Sequence, residues 1–252
     1  MKTVIAIAYT SLLIGCVEAP QDPGDLDLAE TEQPAICGST NDAQYVNSYN
    51  GNLGPPTTFV QTYKRSKGAL ESYAGSGTTG KYCSGTLIAS NLFLTAGHCV
   101  DSATIGDYVS FNYERVAGST TLLTQTHVRV DAIVEDELGG LDYAILRLAG
   151  TPSATWGVSA VATSDPGTGA AITIIGHPNA AAKKIEAGTV ASFSADYLRY
   201  GNVDTLGGSS GSGVLNSLGQ IVGVYTNGGC TATGGTNSGV RISRIRAVSS
   251  VL

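Results

Sequence analysis

The sequence predicts an all-β protein, and three observations carry that prediction. Glycine is frequent, at 33 of 252 residues, while charged residues make up only 13% and methionine and tryptophan occur once each. Short apolar runs rich in Val and Thr alternate with clusters of Gly, Ser, Asn, Asp and Pro that punctuate turns. Helical spacing is confined to the last ten residues. The length suits one large all-β domain or two small ones. The net charge is −6 and no basic run occurs, so nucleic-acid binding has no electrostatic support.

From the start of the chain, Met1-Lys2 followed by Thr3 to Gly15 reads as a signal peptide, too short in its apolar part to span a bilayer. It ends in Leu13-Ile14-Gly15-Cys16, which resembles the bacterial lipobox, so lipidation at Cys16 and anchoring to a membrane are expected. Cleavage after Ala19 is the alternative, made less attractive by Pro20. Residues 17–36 form an acidic linker or pro-segment, with Glu18, Asp22, Asp25, Asp27, Glu30 and Glu32 and no basic residue. The remaining 37–252 form one domain. Thr57 to Tyr63 alternates as a strand should, and 64–80 reads as a Gly/Ser-rich connection. Two β runs, 82–89 and 92–96, flank the turn Ser90-Asn91. Further strands are expected at 107–113, 120–124, 127–135 and 143–148. Pro152 to Gly157 reads as a connection between two halves. A second set follows near 158–163, 171–176, 188–193, 197–200, 213–216, 220–226 and 238–242. In the tail, Ser243 can cap a short helix over 243–252, with Ile245, Val248 and Leu252 on one face.

The densest signal is Asp204-Thr205-Leu206-Gly207-Gly208-Ser209-Ser210-Gly211-Ser212-Gly213. A flexible linker is the bland reading. The apolar strand that begins at Val214 argues instead for a tight bend that aims backbone N–H groups, with a serine at its apex. Such an arrangement suits acyl transfer. Two other stretches supply partners: His98 in Thr95-Ala96-Gly97-His98-Cys99, and Asp142 in Leu141-Asp142-Tyr143-Ala144-Ile145-Leu146. The order His, Asp, Ser is one of the known chain orders of a catalytic triad. His127, in an alternating strand, and His177, in a turn before Pro178, read as structural.

These three motifs resemble those of trypsin-like (chymotrypsin-fold) serine proteases over roughly residues 57–245. The serine motif, together with Gly176-His177-Pro178 and Lys183-Lys184-Ile185, resembles the bacterial branch that includes the glutamyl endopeptidases. The resemblance implies two antiparallel six-stranded β-barrels, about 57–151 and 152–242, with the active site between them. It implies a serine endopeptidase in which Ser210 is the nucleophile, His98 the general base and Asp142 its orienter. Gly208 and Ser210 would supply the oxyanion-hole N–H groups. It further implies a Cys83–Cys99 bridge beside His98, and Cys37 and Cys230 are then expected to pair. Both bonds place the protein in an oxidising compartment, exported to the cell envelope or secreted. Protein or peptide substrates, no metal, no organic cofactor and a monomer are expected.

The pattern also departs from the family. Ser209 stands where trypsin-like zymogens carry the aspartate that pairs with a new N-terminus, and no Ile-Val-Gly-Gly start is present. Asp204 lies where an aspartate would select a basic P1 side chain, whereas Thr205 fits the glutamyl-endopeptidase pattern. Tyr225 stands where those enzymes place a histidine. Tyr225 to Gly228 should pair with the substrate backbone. A catalytically silent binding protein is the alternative reading. An α/β-hydrolase esterase is disfavoured by the chain order and by the absence of a Gly-x-Ser-x-Gly elbow.

Overall fold

A closed barrel of six antiparallel strands forms the first half of the described chain. The structure, a computed structural model, describes residues 35–75 and 77–252. The expected signal peptide, Cys16 and nearly all of the expected acidic linker lie outside these residues. The chain enters with a two-residue strand, β1 (Gln44–Tyr45), and a helix, α1 (Thr57–Tyr63). It then builds β2 (Lys67–Glu71), β3 (Lys81–Leu87), β4 (Leu92–Thr95), β5 (Tyr108–Phe111), β6 (Thr126–Asp136) and β7 (Ala144–Leu148). Their order around the barrel is β2-β3-β4-β7-β6-β5, closed by β2 pairing with β5. Leu70, Leu87, Phe93, Val109, Phe111, Val130, Leu146 and Leu148 fill the interior.

Three expectations are corrected in this half. Residues 57–63 form a helix, not a strand. Pro55 and Pro56 lead into its first turn, where a missing N–H costs nothing, and Phe59 packs on Tyr63 one turn later with ring centroids 4.7 Å apart. Val60, next to Phe59, is buried. Conversely, the expected connection 64–80 contains β2. Its ends are charged residues that the fold buries: Lys67 against the hydroxyls of Ser66 and Ser159, and Glu71 against Lys81 and His127. A strand whose apolar centre is only Gly68-Ala69-Leu70 gives too short a periodic signal to read. The expected strand at 120–124 contributes one bridge, Arg115 to Leu122.

A short helix, α2 (Ser153–Trp156), occupies the connection between the halves, and Trp156 stacks on Phe111 at 5.4 Å. The second half contains β8 (Ala171–Gly176), β9 (Lys184–Thr189), β10 (Ser192–Phe193), β11 (Tyr197–Tyr200), β12 (Gly213–Leu215), β13 (Ile221–Asn227), the small hairpin β14 (Cys230–Thr231) and β15 (Gly234–Gly235), β16 (Asn237–Arg241) and α3 (Ile242–Val248). The main sheet runs β1-β9-β8-β12-β13-β16-β11-β10. Six strands are thus extended at the two edges by the two-residue β1 and β10, giving an eight-stranded sheet in place of a second closed six-stranded barrel. Residues 158–163 add only the bridge Val161 to Ile221. Ile172, Ile174, Ile185, Leu198, Val214, Ile221, Val224 and Val240 form the core, on which Ile242 and Ile245 of α3 are seated. The helix is capped at Arg241, not at Ser243, whose N–H and hydroxyl instead bind Asp165 at 3.0 and 2.6 Å. Val248 is 55% exposed, so Ile242 replaces it on the buried face.

Candidate active site

β4 ends at Thr95, and the chain turns through a single 3-10 turn, Gly97–Cys99, that presents His98 at the barrel rim. Cys83, on β3, is disulfide-bonded to Cys99, which pins this turn to the neighbouring strand. The loop before β7 brings Asp142 to the same place. Asp142 adopts a left-handed conformation (φ 56°), which aspartate tolerates better than most residues, and its N–H is held by Glu137 O at 2.9 Å. Its carboxylate accepts the His98 backbone N–H at 2.8 Å and lies 2.9 Å (Oδ2) and 3.1 Å (Oδ1) from His98 Nδ1. A carboxylate only accepts, so Nδ1 is the donor in this pair.

Ser210 comes from the second half, in the bend before β12, and is 8% exposed. Its carbonyl accepts the Ser84 N–H at 2.8 Å. The next residue explains the need for glycine there. A Cβ on Gly211 would lie 2.2 Å from Ser84 O, 2.2 Å from Thr95 Oγ1 and 2.9 Å from Ala96 N. The serine bend is therefore pressed onto β3 and onto the end of the strand that delivers His98. The Ser210 hydroxyl and the His98 imidazole are not hydrogen-bonded to each other.

The neighbouring peptides are fixed in orientation. Gly207 O accepts the Asn179 N–H at 2.6 Å, so the N–H of that trans peptide, which belongs to Gly208, faces the opposite way. Ser209 O accepts the Ser212 N–H at 3.0 Å, which turns the Ser210 N–H away likewise. Neither of these N–H groups donates to any other group among the described residues. Gly208 has φ +81°, and a Cβ there would stand 2.8 Å from His177 O.

Sequence reasoning did not single out two groups that hold this geometry. Ser84 Oγ donates to Gly208 O at 2.7 Å and accepts the His177 N–H at 2.9 Å, bridging the serine bend to the turn after β8. Asn179, in that turn, orients the Gly207–Gly208 peptide. Asn179 and Ala180 both have positive φ (50° and 52°), and the Tyr113 hydroxyl holds Ala180 O at 2.9 Å. His177 itself is buried and stacked on Tyr113, with Nδ1 donating to Ala181 O at 3.1 Å. Burial, with Lys183 nearby, holds its imidazole down at about 3, so it is neutral. The only sequence signal for Ser84 was its place beside Cys83.

The residues expected to shape the specificity pocket take distinct positions. Thr205 Oγ1 donates to the Tyr225 hydroxyl at 2.7 Å. β13 runs beside the serine bend, with Gly211 N–H on Tyr225 O and Tyr225 N–H on Ser212 O. Gly228 lies just beyond this strand. The Asp204 carboxylate is engaged by the backbone N–H groups of Cys37 (2.7 Å) and Asp42 (3.2 Å). Cys37 is disulfide-bonded to Cys230, and Ala35 O accepts the Thr205 N–H at 3.1 Å. Residues 35–42 are thus tied to the loop before Ser210 and to Cys230.

Among solved structures, a Glu endopeptidase determined in complex with MPD is similar over 82% of this chain and 94% of its own, with 25% identity and a TM-score of 0.59. The serine endoprotease from Yersinia pestis shares the fold at 17% identity and a TM-score of 0.56, over 79% of this chain and 65% of its own length. No curated protein matches the sequence. The family model for the trypsin-like peptidase domain matches residues 83–224, a span that runs from the disulfide beside His98 through Asp142 and Ser210 into β13. With that match covering more than half of the sequence, the chain belongs to the trypsin-like peptidase domain family.

Proposed function

We propose that this serine peptidase is an endopeptidase that cleaves through a Ser210–His98–Asp142 triad and an acyl-enzyme. The observation that carries the reading is the double grip of Asp142 on His98, at Nδ1 and at the backbone N–H, beside a serine bend with two unclaimed N–H groups. His98 Nε2 takes the Ser210 proton as Oγ attacks the scissile carbonyl carbon. The oxyanion that forms is met by the Gly208 and Ser210 N–H groups. Asp142 stabilises the imidazolium, which then protonates the leaving amine. Water, activated by the same imidazole, releases the acyl group and restores Ser210.

The engagement of Asp204 by two backbone N–H groups supports a pocket that is not built for a basic P1 side chain. The Thr205–Tyr225 hydroxyl pair supports a polar one, and the likeness to a Glu endopeptidase agrees with that direction. The two disulfides support export, and the lipobox-like Leu13 to Cys16 supports lipidation at Cys16. Palmitate labelling lost in Cys16→Ser tests the last point. The mechanism is tested by Ser210→Ala, which should abolish casein hydrolysis and fluorophosphonate labelling while leaving the fold intact. Full activity in that variant would refute the triad. Peptide-library cleavage dominated by Arg or Lys at P1 would refute the pocket.

A further inference from the structure

Three carboxylates from distant parts of the chain converge beside the serine bend. Asp42 belongs to the docked N-terminal segment, Glu186 to β9, and Asp204 to the loop that leads to Ser210. One oxygen from each lies within 4.8 Å of the others. Asp204 is buried and balanced by two N–H groups. Glu186 is not balanced: it is 4% exposed, and neither carboxylate oxygen has a hydrogen-bond partner. Lys184 is on the same strand and the same side by the two-residue period, but its ammonium lies over the Tyr45 ring and forms no ion pair with Glu186 among the described residues. A buried carboxylate with no donor is costly unless it is neutralised or bound to a cation. Asp42 is exposed, so the cluster opens to solvent on one side.

We infer that Asp42, Glu186 and Asp204 form a calcium site that fastens the N-terminal segment to the loop before Ser210. The donor set is all oxygen, which suits a hard cation and not zinc or copper. The number of protein carboxylates favours calcium over magnesium. Ca²⁺ accepts several carboxylates in a flexible shell, whereas Mg²⁺ usually keeps several of its waters and is held by one or two. Three carboxylates converging here fit the larger ion. Water entering past Asp42 would complete the shell. The competing occupant is a single proton shared between Glu186 and Asp42. Burial, together with Asp42 and Asp204, pushes the cation-free Glu186 carboxyl up to about 9.

The test uses the chelated full-length protein carrying Ser210→Ala, so that self-cleavage plays no part. Titration calorimetry with CaCl₂ should show one site, with a dissociation constant on the order of 0.1–1 mM, and the unfolding temperature should rise by several degrees. Mg²⁺ should bind more weakly. Glu186→Gln and, should that variant not fold, the exposed Asp42→Asn should each lose the binding heat and the thermal shift. Absence of both signals up to about 10 mM Ca²⁺ overturns the inference. So does binding retained in both variants. A calcium-insensitive stability that falls between pH 7 and 9, and no longer does so in Glu186→Gln, assigns the site to the shared proton and overturns it too.

Discussion

Replacing Gly208 by alanine should stop catalysis with only a modest loss of fold, and the structure gives the size of the effect. Gly208 has φ +81°, where an L side chain costs about 1–2 kcal/mol. The new Cβ would stand 2.8 Å from His177 O and 3.0 Å from Ala180 N. Both are backbone atoms of a turn held by Ser84 and Tyr113, so neither can rotate aside. Crowding of this kind adds about 1–3 kcal/mol. Rotation of the Gly207–Gly208 peptide relieves both penalties. It also breaks the Asn179–Gly207 bond and turns the Gly208 N–H out of the site. Loss of one oxyanion donor lowers kcat by about 10²–10³. Gly207→Ala is the control, because its Cβ would meet no atom within 4 Å and its φ is not positive. It should change stability by no more than about 0.5 kcal/mol. Steady-state kinetics on a peptide substrate and urea unfolding of both variants decide the matter. The reasoning fails if Gly208→Ala keeps kcat within about threefold of wild type, or if Gly207→Ala loses as much activity.

Acid should loosen the same brace. The unfolded chain accepts a proton on His177 near 6.5, whereas the folded chain holds that imidazole at about 3, so stability is full above 6.5 and falls as pH drops toward 3. The slope is about 1.4 kcal/mol per pH unit, measured as the difference between wild type and His177→Gln in urea midpoints; parallel profiles would contradict it. Glu114 adds to the acid loss at lower pH. Burial pushes its carboxyl up, but Lys183 and Lys64 outweigh that and hold it at about 2, so its contribution disappears between 4.5 and 2 and should be missing in Glu114→Gln. Glu186 works in the opposite sense when no cation is bound, since the folded chain keeps a proton that the unfolded chain releases. Stability should therefore fall as pH rises from 4.5 to 9, and added Ca²⁺ should flatten the profile. The Cys83→Ser/Cys99→Ser double variant opens a 16-residue connection and should lose roughly 3 kcal/mol, together with activity, because the His98 turn is freed. An unchanged urea midpoint would count against this role.

What the sequence disclosed followed how local each signal was. β3, β4, β7, β8, β11 and β13 are apolar runs with turns at both ends, and they appear close to where alternation puts them. The seven residues of α1 fit two periods, and only the prolines before it distinguish helix from strand. β2 was hidden because its buried ends are Lys67 and Glu71, whose partners Ser159, Lys81 and His127 are distant or on another strand. The same rule holds at the site. His98, Asp142 and Ser210 each sit in a recognisable local stretch. Ser84 and Asn179 act through backbone groups on a segment far away in sequence, which leaves no local trace.

That distinction bears on how the pocket is shaped without the usual activation aspartate. Ser209 carries no charge, and its hydroxyl accepts only the Leu206 N–H, at 3.3 Å. No buried carboxylate waits there for a new amino terminus. Five residues upstream, however, the Asp204 carboxylate takes the N–H groups of Cys37 and Asp42, and Thr205 N–H takes Ala35 O. Asn237 Nδ2 joins Ala35 O to Val203 O at 2.7 and 2.9 Å, and the Cys37–Cys230 disulfide closes the arrangement. Residues 35–42 are thus held by backbone N–H groups on a carboxylate, by a backbone hydrogen bond and by a covalent bond. An ion pair to a new terminus forms only after cleavage, whereas these contacts form as the chain folds and oxidises. The Asp204 carboxylate is thus claimed by residues 37 and 42 of the same chain, and the next residue, Thr205, pairs its hydroxyl with that of Tyr225.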